Sequence, residues 1–212
     1  EADTLMPLPW RPEHGRVVRL FCNIAYPDGR TFECDTRSIL KKAIQDADKA
    51  GIHFYFGAEQ EFYLFTLSET GEPTKKPYDN AGYMDIAPDD RGENIRREIC
   101  LTLEQMGIYP ERSHHEQGPG QNEIDFRYSD PLTAADNAMT FQTVVKTVAG
   151  CNGLIADFSP KPLTDKPGNG FHINISAKAD DDSDYLHLII AGILEKVCDM
   201  TLFLNPLNCS YQ

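Results

Sequence analysis

The sequence predicts an α+β fold, because stretches with strand periodicity are separated by longer stretches with helical periodicity. Three predicted strands each place polar side chains on one face and apolar side chains on the other. Four predicted helices carry apolar residues at helical spacing, over residues 36–50, 94–106, 131–152 and 185–204. A glycine follows each of the first three helices, where a C-terminal cap is expected.

The most informative stretch runs from His114 to Phe126 and combines imidazoles, carboxylates and a glycine-proline turn. From Glu123 onwards its side chains alternate between two faces. The polar face carries Glu123, Asp125 and Arg127, and the apolar face carries Ile124, Phe126 and Tyr128. Because a turn at Gly118-Pro119-Gly120 follows Glu116, a bend there would return Glu116 beside Glu123. The stretch is therefore one half of a predicted metal site, with a solvated hairpin as the alternative.

Two other predicted strands repeat this arrangement of polar side chains. Glu59 and Glu61 share one face of an aromatic stretch, and His172, Asn174 and Ser176 alternate with two isoleucines. Paired carboxylates on one face repel each other unless a cation joins them. Four glutamates and one histidine, with no cysteine beside them, suit Mg²⁺ or Mn²⁺ better than zinc.

Other segments are predicted from local signals. Val17–Ile24 predicts a strand, and Ile52–Phe65 predicts a pair of strands around the two glutamates. Ser68–Pro77 is predicted to be a polar loop. The acidic run Asp180–Asp184 predicts a solvated loop that leads into a helix, with a calcium site as the alternative. A domain boundary is expected near Asp35, which separates a connecting segment (1–35) from the main domain (36–212).

Composition excludes several classes of function. A net charge of −13 over 212 residues disfavours nucleic acid as a partner, because phosphate contacts need clustered lysine and arginine. No apolar run approaches the length of a membrane span, and no signal-peptide pattern is present at the start. Six scattered cysteines without paired spacing are typical of reduced thiols, so we expect a cytoplasmic protein.

Several motifs, in order and at matching spacing, resemble those of the glutamine synthetase family. The resemblance covers nearly the whole chain, which looks like the middle of a family member. The motifs are Gly57–Phe62, Gly82-Tyr83, His114–Ile124, Pro160-Lys161-Pro162 and Gly168–His172.

The resemblance implies a catalytic domain in which a curved antiparallel sheet lines a funnel and helices cover its outer face. The segment 1–35 would be the remnant of an N-terminal β-grasp domain. Glu61, Glu116 and Glu123 would hold one cation, and Glu59 and His172 would hold a second. Glu116 and Tyr83 would form the ammonium site, and Gly168 would contact the amino-acid substrate. The residues that would bind the nucleotide are Glu111, Tyr128, Asn174 and Ser176. His114 and His115 would support the ligands.

The implied reaction is ATP-dependent joining of ammonia to glutamate through γ-glutamyl phosphate. Mg²⁺ or Mn²⁺ would be the cofactor, and the full-length protein would form a homo-oligomeric ring. One departure from the family pattern leaves the substrate open, because Pro167 stands where many members have an asparagine. The alternatives are a ligase for a polyamine or other amine and a non-catalytic family member. Without the resemblance, the residues favour a two-metal hydrolase.

The family carries further ligands and phosphate-binding arginines beyond the region that this chain matches. A neighbouring subunit also completes the family's pocket. We therefore expect the 212-residue chain by itself to bind metal weakly and to have little or no ligase activity.

Overall fold

The computed structural model describes residues 1–181 and 183–211. Within them, the α-helices are α1 (Thr36–Lys49), α2 (Glu93–Gln105), α3 (Pro131–Cys151) and α4 (Leu186–Leu204). The strands are β1 (Met6–Pro7), β2 (Val18–Arg19), β3 (Ile52–Leu67), β4 (Pro73–Pro77), β5 (Pro110–His115), β6 (Gln121–Phe126), β7 (Leu154–Asp157) and β8 (Phe171–Ala179). The fold is α+β, as predicted.

Strand β3 is the centre of an antiparallel sheet. Strands β6 and β4 pair with one edge of β3, β8 and β7 pair with the other edge, and β5 extends the sheet beyond β6. The predicted pair of strands over Ile52–Phe65 is wrong, because β3 runs as one strand of 16 residues. Gly57 does not interrupt the strand, since a single glycine can stay extended when the residues on both sides of it are paired with a neighbouring strand.

The hydrophobic core lies between the sheet and helices α2 and α3. Ala58, Phe62 and Leu64 point from β3 into this core, whereas Glu59 and Glu61 point to the opposite face. The apolar residues at helical spacing predicted for this helix face the core, since five of them are at most 4% exposed: Phe141, Val144, Val145, Val148 and Ala149. The helices therefore cover one face of the sheet and leave the carboxylates on the other.

Helix boundaries follow the local signals in the sequence. The Asp35 carboxylate accepts a hydrogen bond from the Ser38 amide at the start of α1, and the Asp130 carboxylate caps α3 in the same way. Gly51 and Gly107 end α1 and α2 with φ values of +72° and +76°. The domain boundary near Asp35 stays a prediction.

Two other predictions of local structure are wrong. The strand predicted at Val17–Ile24 is much shorter in the structure, where only Val18–Arg19 pairs with the two residues of β1. Prolines near β1 prevent further backbone hydrogen bonds between the two strands. The loop predicted at Ser68–Pro77 contains β4, which pairs with the end of β3. Strand β4 lies at the edge of the sheet, where polar residues are tolerated. Its polar composition therefore predicted a loop instead of a strand.

Helix α4 forms as predicted, but none of its residues is buried. Leu188 and Phe203, for example, are 68% and 80% exposed. In the acidic run before α4, Asp182 lies outside the described residues. Among the helices of the described chain, none combines the length and the apolar character that a membrane span requires.

Candidate active site

Three strands bring their polar side chains together on the face of the sheet opposite α2 and α3. Glu61 on β3 lies directly opposite Glu123 on β6. Glu59 lies between Asp125 of β6 on one side and His172 of β8 on the other. The polar rows predicted from separate parts of the sequence are therefore neighbours in the sheet.

The turn after Glu116 closes the hairpin of β5 and β6. The Glu116 amide donates to the Gln121 carbonyl over 2.8 Å, and Gly120 adopts a φ of +69°. His114 Nδ1 lies 3.6 Å from Glu116 Oε1, and His114 Nε2 lies 4.0 Å from Glu123 Oε2. The bend thus places Glu116 beside Glu123, as the turn predicted.

The carboxylates form two overlapping groups of potential ligands. His114, Glu116 and Glu123 offer ligand atoms within 4.8 Å of one another, and so do Glu59, Glu123 and Asp125. Glu123 belongs to both groups. The arrangement therefore has the composition of two adjacent cation sites that share one carboxylate.

His172 and Glu61 meet beneath the loop that precedes β8. His172 Nδ1 lies 3.5 Å from Glu59 Oε2, and its side chain is 62% exposed. A Cβ atom on Gly170 would lie 2.8 Å from both Glu61 Oε1 and His172 Nε2. A larger residue at this position would therefore displace one of these two side chains. Asn174 Nδ2 donates to Glu59 Oε1 over 2.7 Å.

The carboxylates are poorly compensated by the protein itself. Burial raises the pKa of Glu123 above its ordinary value, and the adjacent Asp125 raises it further. Burial and the charge of Glu59 raise the pKa of Asp125, and burial and the charge of Glu116 raise that of Glu61. Among the described residues, Asp125 Oδ1 is buried without a hydrogen-bond partner. A divalent cation held by oxygen ligands fits this donor set, because it would compensate the charges and satisfy the free oxygen.

A third cluster of acidic residues and histidine is not a metal site. His115 is fully buried, and its two ring nitrogens lie 2.9 Å from Asp79 Oδ1 and 2.6 Å from the Glu116 carbonyl oxygen. A carbonyl and an ionised carboxylate only accept hydrogen bonds, so this geometry suits an imidazolium that donates from both ring nitrogens. Asp90 is paired with the buried Arg96 guanidinium over 2.6 Å. Two cations thus balance two anions, and no ligand atom is left for a metal.

A cavity of about 350 Å³ opens beside the carboxylates. Four of its lining residues are those assigned to the nucleotide by the resemblance: Glu111, Tyr128, Asn174 and Ser176. Glu59 and Asp125 line the same cavity, so it extends to the candidate cation sites. Tyr128 was predicted on the same face as Ile124 and Phe126, but it lies outside the strand and is 62% exposed, because β6 ends at Phe126.

The remaining predicted residues lie on loops around the carboxylates. The Tyr83 ring is 59% exposed and lies edge-on to the His114 ring, with 5.7 Å between centroids. The Gly168 carbonyl accepts a hydrogen bond from Gln121 Nε2 over 2.9 Å. Gly168 itself is tightly packed, since a Cβ atom there would lie 2.5 Å from the Pro160 carbonyl oxygen.

Sequence reasoning missed several residues of the site. Asp125 lies on the predicted polar face of β6, and that periodicity was the signal that could have added it to the ligands. Gln121 and Tyr63 are fully buried, and both hold the loop before β8. No local pattern marks them, because their partners lie more than 40 residues away in the chain.

The chain matches the model of the glutamine synthetase catalytic domain over residues 33–212. The chain belongs to the glutamine synthetase family. This membership decides against the two-metal hydrolase, which the residues alone had favoured.

Curated relatives agree with the family assignment. A glutamine synthetase of Clostridium saccharobutylicum is 46% identical over 99% of the chain, and one of Staphylococcus aureus is 42% identical over all of it. The chain spans about half the length of these glutamine synthetases, 50% in each case.

Two solved structures have a fold similar to that of this chain. Glutamine synthetase of Plasmodium falciparum superposes on 98% of the chain with a TM-score of 0.85 at 26% identity, and the match covers 48% of that protein. A GmaS/ADP complex superposes on the whole chain with a TM-score of 0.88 at 28% identity, and the match covers 51% of it.

Proposed function

We propose that this chain carries the cation-binding and nucleotide-binding part of an ATP-dependent glutamate–ammonia ligase. The observation that carries the proposal is the convergence on one face of the sheet of five side chains from three strands and one turn: Glu59 and Glu61 on β3, Glu123 on β6, His172 on β8, and Glu116 in the turn after β5. The adjoining cavity, with its aromatic and polar lining, supports a nucleotide next to these ligands.

Two divalent cations, Mg²⁺ or Mn²⁺, fit the ligands in the proposed division. Glu61, Glu116 and Glu123 would hold one cation, and Glu59 and His172 would hold the other. Asp125 and His114 are additional candidates, because each lies within one of the two ligand groups. When bound, such cations neutralise the phosphate oxygens and the charge that develops during phosphoryl transfer.

The chain's own residues would position two anions that repel each other, the γ-carboxylate of glutamate and the terminal phosphate of ATP. Tyr128 and Glu111 would orient the nucleotide at the far end of the cavity, and Gly168 would contact the amino acid through its backbone. The Glu116 carboxylate, beside the His114 ring that contacts Tyr83, would attract ammonium and accept its proton, so that neutral ammonia attacks the acyl phosphate.

Binding measurements on the 212-residue chain test this proposal without requiring turnover. Isothermal titration calorimetry with Mn²⁺, and then with ADP in the presence and absence of Mn²⁺, should show that the metal strengthens ADP binding. Glu59→Gln should weaken both interactions, because Glu59 lies in a ligand group and lines the cavity. Glu69→Gln, at an exposed turn, is the matched control. A chain that binds no Mn²⁺, or a Glu59→Gln variant that binds it normally, would contradict the proposal.

The amine, the assembly and the location belong to the same proposal. Comparing ammonia with alkylamines and polyamines in turnover by the full-length protein would identify the amine. The family makes a homo-oligomeric ring our expectation, which sedimentation of the full-length protein would test. The six free cysteines support a location in the reducing cytoplasm.

A further inference from the structure

Gln121 occupies an unusual position between the carboxylates and the loop that precedes β8. It is fully buried at the start of β6. Its Nε2 donates to Glu61 Oε2 over 2.7 Å and to the Gly168 carbonyl over 2.9 Å, while its Oε1 accepts from the Gly118 amide over 2.9 Å. One planar group therefore contacts a proposed cation ligand, the loop and the hairpin turn.

The two hydrogens of a primary amide leave in fixed directions. The two short hydrogen bonds of Gln121 Nε2 go to Glu61 and Gly168, and a longer contact of 3.4 Å reaches Asn169 Oδ1 in the same loop. A change in the direction of the Glu61 carboxylate therefore alters the hydrogen bond to Gly168. The backbone links the same two regions, since the Glu61 amide donates to the Gly170 carbonyl over 3.0 Å. Glu61 and the loop are thus connected by contiguous contacts.

Tyr63 holds the same loop without contacting Glu61 through a hydrogen bond. Its hydroxyl donates to the Pro167 carbonyl over 2.7 Å, and the ring is fully buried. Gly118 makes room for this hydroxyl, because a Cβ atom there would lie 1.9 Å from it. The loop therefore has one attachment that includes a proposed cation ligand and one that does not.

We propose that Gln121 is a positioning residue that couples cation binding at Glu61 to the ordering of the loop at Gly168–Gly170. The proposal rests on the cation site of the proposed function. A cation that fixes the Glu61 carboxylate would fix the Gln121 amide, and through it the Gly168 carbonyl. The backbone that meets the amino-acid substrate would then become ordered only after the metal has bound.

Hydrogen–deuterium exchange of the 212-residue chain measures this coupling with the metal alone. Overlapping peptides within residues 160–175 separate the Gly168, Asn169 and Gly170 amides from those of Lys161 and Leu163–Lys166, whereas Pro160, Pro162 and Pro167 have none. Saturating Mg²⁺ should slow exchange of the Gly168, Asn169 and Gly170 amides about fivefold or more relative to EDTA, which is the lower end of typical coupling between sites. Gln121→Met should abolish this metal dependence. Its Mg²⁺ affinity in calorimetry should fall about 10- to 100-fold, as is usual when a partner of a ligand is lost.

Two further variants distinguish coupling from a general loss of structure. Tyr63→Phe should speed hydrogen exchange of the loop both with and without Mg²⁺. The ratio of the exchange rates in EDTA and in Mg²⁺ should stay the same, since this variant removes only the metal-independent attachment. Gln142→Met is the matched control, because Gln142 also donates an amide hydrogen bond, to Gln60 over 2.8 Å, on the opposite face of β3. It should behave like the original chain.

The possible outcomes separate this inference from the proposed function. Metal-dependent protection that persists in Gln121→Met would overturn the coupling, and so would Mg²⁺ binding by the original chain without any slowing of the loop. A chain that binds no Mg²⁺ would remove the proposed function and this inference with it. Should circular dichroism show that Gln121→Met does not fold, Gln121→Asn gives the same test, because it keeps the amide but is too short to span both partners.

Discussion

Glu61 and Glu123 lie directly opposite each other on the neighbouring strands β3 and β6, with both side chains on the same face of the sheet. Side chains in such pairs have Cβ atoms about 5 Å apart, and like charges at this distance destabilise a sheet. Glu123 is also grouped with Glu116 and with Glu59 and Asp125, and the charge of Glu116 acts on Glu61. The site therefore costs stability in the absence of a cation, and this cost has measurable consequences.

Glu123→Gln is expected to stabilise the metal-free chain. Burial and the adjacent Asp125 raise the pKa of Glu123, so replacing it with a neutral isostere removes an unfavourable charge. We expect a gain of about 0.5–2 kcal/mol in the free energy of unfolding in EDTA. Added Mn²⁺ should stabilise the original chain by about 2.7 kcal/mol at 100 times its Kd, and the variant less. Urea unfolding in both conditions, with Glu69→Gln as control, measures the difference. If Mn²⁺ stabilised the variant as much as the original chain, or if the variant were less stable than the original chain in EDTA, the result would argue against a cation site at Glu123.

Gly118→Ala should destabilise the chain strongly. The new Cβ atom would lie 1.9 Å from the Tyr63 hydroxyl and 2.8 Å from Gln121 Oε1, and both side chains are fully buried. We expect a loss of about 1–3 kcal/mol or more in urea unfolding. Gly150→Ala, in α3 with nothing within 4 Å of the added atom, should instead gain about 0.5–1 kcal/mol. Similar effects from both substitutions would show that the Tyr63 contact is not tight.

His115→Gln should be destabilising through the charge that it leaves behind. His115 donates to Asp79 and to the Glu116 carbonyl, and although burial opposes its protonation, these hydrogen bonds raise its pKa. A neutral side chain leaves the Asp79 carboxylate without its cation, at a cost of about 3–5 kcal/mol. His14→Gln, at an exposed position, should have no measurable effect. Urea unfolding of both variants at neutral pH measures the contrast, and a loss below 1 kcal/mol for His115→Gln would indicate that His115 is neutral.

His53 is expected to make a pH-dependent contribution to the free energy of unfolding. Hydrogen bonds to Asp180 and then to Asp48 raise the pKa of this exposed histidine above its ordinary value. Because the folded pKa is higher than the unfolded one, the contribution is complete below the unfolded value of about 6.5 and disappears as pH rises through the folded value. The stability difference between the original chain and His53→Gln should therefore be larger at pH 5.5 than at pH 9, and salt should reduce it. A difference that is constant with pH would contradict this ion pairing.

Much of the fold could be predicted from the sequence because its signals are local. The helix starts at Asp35 and Asp130 and the glycines after α1 and α2 act within a few residues of the helix ends. The edge strand β4 was not predicted, because its residues are polar and become a strand only through pairing with β3. Likewise, nothing in the apolar stripe of α4 indicates that it remains uncovered in the described chain.

For the candidate site, the sequence by itself determined which side chains share a face within each strand. The alternation of an extended chain puts Glu59 with Glu61, Glu123 with Asp125, and His172 with Asn174, whatever lies beside them. Only the tertiary structure decided which strands are neighbours and in what register, so that Glu61 faces Glu123 and Glu59 lies between Asp125 and His172. The buried bridge from Gln121 to Glu61 and Gly168 was decided in the same way. Such pairings depend on free energies summed over the whole core, and a pattern within a few residues does not contain them.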